Sequence, residues 1–197
     1  MARPLVERSG ESGLRTRQIA TAGILGGIVL VLGFTGLGFI PVPNLSGSAT
    51  IMQVPAVLGG VLEGPVIGLL VGGIFGLESM IRTGGVPFFH DPSVSFLPRL
   101  FIGPVAYLVF IALRRMSVQV AAAAAGVAGA VTNTVLVVGM LVLRHYIPIQ
   151  AVPPILPQAV AEAILSGIVT LAVVEGVLLY RSGRTTAPEI HGEERRY

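Results

Sequence analysis

Lysine, cysteine and tryptophan are all absent from this 197-residue chain. Its 13 basic residues are therefore all Arg. Without Lys there is no phosphate-gripping residue for a Walker A loop, and the GxxxxGK[ST] pattern does not occur. Any use of ATP must fall to another chain. Without Cys there can be no disulfide, CxxC redox pair or thiolate metal site. His90, His145 and His191 lack metal-ligand spacing, so no metal or other cofactor is expected. Charge is also scarce, at 12% of residues, where a soluble domain carries about 25%.

What replaces charge is apolar length. Hydrophobic residues make up 53% of the chain, and its mean hydropathy is +0.83. Such a chain cannot cover its own surface with polar groups, so lipid must act as part of its solvent. Apolar runs recur at about the 20-residue length that crosses a bilayer as a helix. They are too long for strands, and they lack in/out alternation. The expected fold is an all-α integral membrane bundle, multi-pass in the cell membrane. The segment Met1 to Gln18 is polar, and the apolar run behind it is too long for a signal peptide core. That run reads as a retained first helix.

The expected helices run from Ile19 to Ile40, through Ile51–Ile81, then Ser93 to Leu113, Val118 to Leu143 and Ile155 to Tyr180. As one helix, Ile51–Ile81 would be roughly 45 Å long against a hydrocarbon core of roughly 30 Å. Glu63-Gly64-Pro65 lies in its middle and should break it. Arg placement chooses between one crossing and two. With two, Arg3, Arg8, Arg15, Arg17, Arg114, Arg115, Arg181, Arg184, Arg195 and Arg196 share one side, and only Arg82 and Arg144 face the other. With one crossing the same residues divide evenly. The positive-inside rule favours two crossings, hence six helices with both termini cytoplasmic. The expected organisation is a cytoplasmic segment over residues 1–17, a membrane domain over 18–181 and a cytoplasmic tail over 182–197. The basic excess is read as topology rather than nucleic-acid binding, because the Arg residues are scattered over tails and short loops.

Polar residues within the membrane are costly and mark function. In this layout most of them fall in the outer half. Asn44 and Ser46 follow the first helix, Glu78 ends the third, and His90 and Asp91 lead into the fourth, which carries Arg99. Asn133 lies slightly outward of the middle of the fifth helix, and Gln158 and Glu162 open the sixth. Gln158, Glu162, Ser166 and Thr170 follow an i, i+4 series on one helix face. This distribution suggests a pocket open to the outside and closed below. Arg99, Asn133, Glu162, Asn44, Ser46, Glu78, Asp91 and Gln158 are the candidate substrate-binding residues. Structural readings compete: Arg99 snorkelling to the headgroups, an Arg99–Glu162 ion pair, and Asn133 as an interhelical contact. An outward Arg99 would suit a carboxylate or phosphate, since its planar fork holds such groups bidentately.

Five pieces in order carry a family resemblance. They are Leu45-Ser46-Gly47-Ser48-Ala49-Thr50-Ile51-Met52, Leu62-Glu63-Gly64-Pro65-Val66-Ile67-Gly68, Asp91 through Gly103, Thr132-Asn133-Thr134-Val135 and Ala161-Glu162-Ala163-Ile164. On a six-helix frame, the chain from Arg17 to Tyr180 resembles the substrate-binding S components of energy-coupling factor (ECF) vitamin importers. The resemblance implies a subunit that captures a vitamin from outside. It delivers the vitamin by toppling in the lipid bilayer, driven by a transmembrane coupling subunit and two ATPase subunits. It also implies a small-residue AxxxA contact on the first helix. The matching positions here are Ala22 and Gly26, with Gly23 and Gly27 beside them. A pantothenate-like vitamin is the favoured substrate, with the pyrimidine precursor of thiamine or a pyridoxine-like ring as rivals. An intramembrane enzyme is not expected, since no nucleophile motif, HExxH or acidic metal cluster occurs. The alternative is a stand-alone secondary transporter of a small organic solute, which usually needs repeats or broken helices.

Overall fold

Gly64 divides the long apolar stretch in two, as the sequence led one to expect. In the computed structural model its backbone sits at φ 106°, ψ 174°, a region that side-chain-bearing residues scarcely enter. The Gly64 amide closes the preceding helix by donating to the Gly60 carbonyl at 3.0 Å. Pro65 then opens the next helix, where its missing N–H costs nothing. The structure describes residues 16–41, 48–82, 87–181 and 183. Helix α1 spans Thr16–Thr35, α2 Val54–Glu63 and α3 Pro65–Arg82. Three short helices in series, α4 (Pro92–Ser95), α5 (Leu97–Leu100) and α6 (Ile102–Leu113), form one crossing. Helices α7 (Val118–Leu143) and α8 (Leu156–Arg181) complete the bundle.

Five of these segments are long and apolar enough to cross a membrane; α2 has only 10 residues. At about 1.5 Å per residue, α2 reaches roughly half of the hydrocarbon thickness. It is packed inside the bundle, with Val54 to Val61 all buried. Around it lies the main apolar core, with Val29, Val57, Ile67, Val71, Ile102 and Ala122. The bundle's outer surface is inverted relative to a soluble protein. Ile24, Phe34, Ile81, Leu108, Val135 and Ile168 are all exposed, as expected of faces turned to acyl chains.

The first helix ends sooner than its hydropathy suggests. Gly36, at φ 79°, stops it, and Phe39–Pro41 becomes strand β1 instead. It pairs antiparallel with β2 (Ser48–Thr50), with Phe39 opposite Thr50 and Ile40 opposite Ala49. This hairpin and the turn after it fill the space left above the short α2.

Two ion pairs mark the ends of the bundle. At one end, the Arg17 guanidinium of α1 reaches the Glu63 carboxylate at 2.9 Å. Gln18 there donates to the Glu63 carbonyl at 3.2 Å. This basic end also carries Arg114 and Arg115. At the far end, Arg144 after α7 pairs with Asp91 before α4 at 3.0 Å. These two are the ion pairs formed among the described residues.

Candidate functional site

The floor of the site is a contact between three helices. A Cβ on Gly129 of α7 would lie 2.3 Å from Val57 Cγ2 of α2 and 3.4 Å from Ile102 Cγ2 of α6. One helical turn further toward the far end, the same columns carry Gln53, Arg99 and Asn133. Gln53 lies four residues before Val57, Arg99 three before Ile102, and Asn133 four after Gly129. All three are buried. Glu162 stands at a similar height on α8. It lies one turn beyond Ser166, whose hydroxyl donates to the Gly126 carbonyl of α7 at 2.9 Å. Glu162 is also buried.

The partners of these groups separate them. Glu162 Oε1 accepts from the Thr50 amide at 2.9 Å and from Gln158 Nε2 at 2.8 Å. It therefore ties the hairpin to α8. Thr50 in turn donates its hydroxyl to the Gly38 carbonyl at 3.2 Å. The Arg99–Glu162 ion pair considered from sequence does not form. Neither atom of the Gln53 carboxamide has a partner among the described residues, and the residue is 0% exposed. Asn133 Oδ1 and Arg99 Nε are likewise unpartnered among the described residues.

Arg99 does not snorkel. It is 5% exposed and points into the protein. The reason lies in its neighbour. Pro98 has no amide hydrogen, so the Val94 carbonyl four residues earlier loses its helical donor. Arg99 Nη1 donates to that same Val94 carbonyl, and Nη2 to Ser79 Oγ at 3.4 Å. The guanidinium lies 5.3 Å from the Phe75 ring centroid and 5.9 Å from that of Phe89. Each Nη thus spends one N–H on the protein, while Nε has no partner among the described residues. Beside Ser79, the Glu78 carboxyl is 1% exposed and unpartnered among the described residues. It rests over Gly33, where a Cβ would lie 2.1 Å from Glu78 Oε1.

Asp91 is held apart from this layer. Its Oδ1 caps α4 by accepting from the Ser93 amide at 2.9 Å and the Ser93 hydroxyl at 2.7 Å. Its Oδ2 accepts from Arg144 Nε at 3.1 Å and the Tyr146 hydroxyl at 3.0 Å. The Ser93 bonds, followed by those from Tyr146 and Arg144, pull its carboxyl down to about 2. That is the profile of a cap and clamp, with both oxygens committed. Asn44 and Ser46 lie outside the described residues.

On α1, the four small residues divide between two faces. Gly26 is buried, and a Cβ there would lie 2.5 Å from Ile74 Cδ1. Ala22 is partly buried against the core. Gly23 and Gly27 are exposed, with nothing within 4 Å of a Cβ. The open register on this helix is therefore Gly23 and Gly27.

Sequence reasoning passed over Gln53. The signal was there: it is the one amide side chain within the apolar stretch Ile51–Ile81, and such residues are rare in membrane segments without a purpose.

Comparison with known proteins gives a consistent result. The family model described as "ECF transporter, substrate-specific component" matches residues 17–174. A solved structure of the S component of a bacterial ECF transporter superposes with a TM-score of 0.59 at 21% sequence identity. The match covers 87% of this chain and 97% of that one. At that identity the likeness concerns the fold. No curated protein sequence matches the chain.

Proposed function

This chain belongs to the substrate-specific component family of ECF transporters, and from that membership we propose that it captures a small water-soluble vitamin or vitamin precursor and hands it inward. The observation that supports this is the buried polar layer. Gln53, Arg99, Asn133 and Glu162 come from four different segments of the chain and meet one level of an otherwise apolar bundle. Arg99 and Glu162 also hold the scaffold together, but Gln53 and Asn133 Oδ1 have no partner among the described residues, and such groups are costly to bury without a task. Pantothenate-like, thiamine-pyrimidine and pyridoxine-like molecules are the candidates the sequence brings forward. The energy would come from a separate coupling subunit and two ATPase subunits. The basic end, with its many Arg residues, would face the cytoplasm.

Tagged protein purified from its host should bring down a transmembrane coupling subunit and ATPases, and vitamin uptake should require them. Uptake by the chain alone would instead favour a secondary transporter. Titrating the purified protein with water-soluble vitamins should identify one that binds. Orientation can be read with single Cys substitutions in this Cys-free chain. An impermeant thiol reagent added to intact cells should label Ser46→Cys and spare Ser117→Cys.

The open face of α1 is the proposed docking strip for the coupling subunit, because small residues let helices approach closely. Gly23→Leu and Gly27→Leu should cut ATP-driven uptake while ligand binding persists. If both leave uptake intact, the coupling contact lies elsewhere.

A further inference from the structure

The candidate site contains a fully buried side chain that presents both a hydrogen-bond donor and an acceptor without using either. That side chain is Gln53. It stands at the start of α2 but does not cap it. Neither its Nε2 nor its Oε1 has a partner among the described residues, at 0% exposure. A buried amide left in this condition is destabilising unless something else bonds to it. Asn133 Oδ1, a second acceptor, is unpartnered in the same layer.

The charged groups of the layer point the same way. Arg99 supplies the one positive side chain. Both of its Nη groups are engaged, by the Val94 carbonyl freed at Pro98 and by Ser79. Glu78 and Glu162 are two buried acids. A carboxylate ligand would add a third acidic group to a set with one buried guanidinium, two of whose N–H donors are already spent on the protein.

We propose that the ligand of this site is an uncharged nitrogen heterocycle or carboxamide with a donor and an acceptor side by side, and that Gln53 reads that edge through a paired amide contact. The inference rests on the capture reading above and specifies its substrate class. A carboxamide matches such an edge in geometry, donating one N–H and accepting one, as it does toward adenine edges. Asn133 Oδ1 would take a second N–H from an exocyclic amine. Gln53 is thereby a specificity-determining residue, and Arg99 a positioning residue for the α4–α5 bend.

The test is calorimetric titration of the purified full-length protein with four probes: the aminopyrimidine precursor of thiamine, nicotinamide, nicotinate and pantothenate. Nicotinamide and nicotinate share a ring and differ in carboxamide against carboxylate. The expected result is binding of the aminopyrimidine or nicotinamide, with nicotinate at least tenfold weaker than nicotinamide. Gln53→Leu should weaken the favoured probe by roughly tenfold or more, since a site built to pair with polar groups depends strongly on them. Gln53→Glu keeps the shape and removes the donor, so it should also weaken binding if Gln53→Leu folds poorly. Tightest binding by pantothenate or nicotinate, with Gln53 variants equal to the parent, would overturn the proposal and leave the importer reading intact. Binding of none of the four would also overturn the ligand class. Failure to co-purify with a coupling subunit and ATPases would instead strike the capture reading.

Discussion

Below the level of Gly129 the helices α2, α3 and α6 meet backbone to backbone; one turn above it buried polar side chains join the contacts. In the lower region α2, α3 and α6 cross at Gly60, Gly68 and Gly103. A Cβ on Gly103 would lie 2.3 Å from Gly68 Cα, and one on Gly60 would lie 2.3 Å from the Gly103 carbonyl oxygen. Along α3 the pattern extends to Gly72, whose Cβ would meet the Arg99 carbonyl at 2.2 Å, and Gly76, which faces Phe96. In the upper region the half-length α2 has ended, and Gln53, Arg99, Asn133 and Glu162 occupy the layer. Lipid tails offer no hydrophobic drive for helix association, so the lower region relies on close packing. The upper region gives up part of that packing to hold groups that can bind. One family of helices thus serves as both clamp and site, with the glycine contacts of α3 running up beside the polar layer.

The sharpest way to break the comparison is at the clamp. Gly68→Val places a side chain against two backbones that cannot rotate away. We expect loss of about 3 kcal/mol or more, at the upper end of overpacking effects. It should appear as reduced folded yield and a lower melting temperature of whatever folds. Ligand affinity of that folded fraction should stay near the parent value.

The mirror-image change is at the site. Gln53→Leu removes two buried polar atoms that have no partner among the described residues. In the free protein it should be neutral or stabilising by roughly 1 kcal/mol, read as an unchanged or raised melting temperature. A large drop in melting temperature would mean that Gln53 supports the fold, and the contrast between clamp and site would fail.

The two ion pairs at the ends should matter less. Arg17→Gln breaks a pair between a largely exposed guanidinium and a largely buried Glu63 side chain, so its cost should be about 1 kcal/mol, at the top of the range for exposed pairs. Asp91 gives the smallest effect, visible only in acid. Its carboxyl is held at about 2, below its ordinary 3.8. A lowered value in the fold means that its contribution is complete above the ordinary value and fades as pH falls toward about 2. The parent's melting temperature should therefore decline between pH 4 and 2 partly through this group, and Asp91→Asn should show a flatter profile there.

How far the sequence could be read depended on whether a signal was local. The break at Glu63-Gly64-Pro65 was legible because Gly and Pro act through their own backbone geometry. The Arg asymmetry was legible because it is a property of loops, whatever packs between them. The depth of Arg99, Asn133 and Glu162 followed from counting residues along helices. The end of α1 was misjudged by several residues, since Phe39-Ile40-Pro41 is apolar enough to continue a helix. Only the Gly36 turn and the pairing with Ser48–Thr50 take it elsewhere.

By itself, then, the sequence determined a helical membrane bundle of six segments and the level at which its polar residues lie, since hydropathy, helix rise and breakers are all local quantities. Only the tertiary structure decided which polar groups are occupied and which are unpartnered. Arg99 looked like a ligand anchor because Arg in a membrane usually has a task. Its task turned out to be the Val94 carbonyl that Pro98 leaves open, a contact set by how the chain bends. Gly23 and Gly26 look alike in sequence, yet one faces open space and the other Ile74, because helix rotation is fixed by neighbours. Gln53 stands out only once its amide is seen to be fully buried with no partner among the described residues.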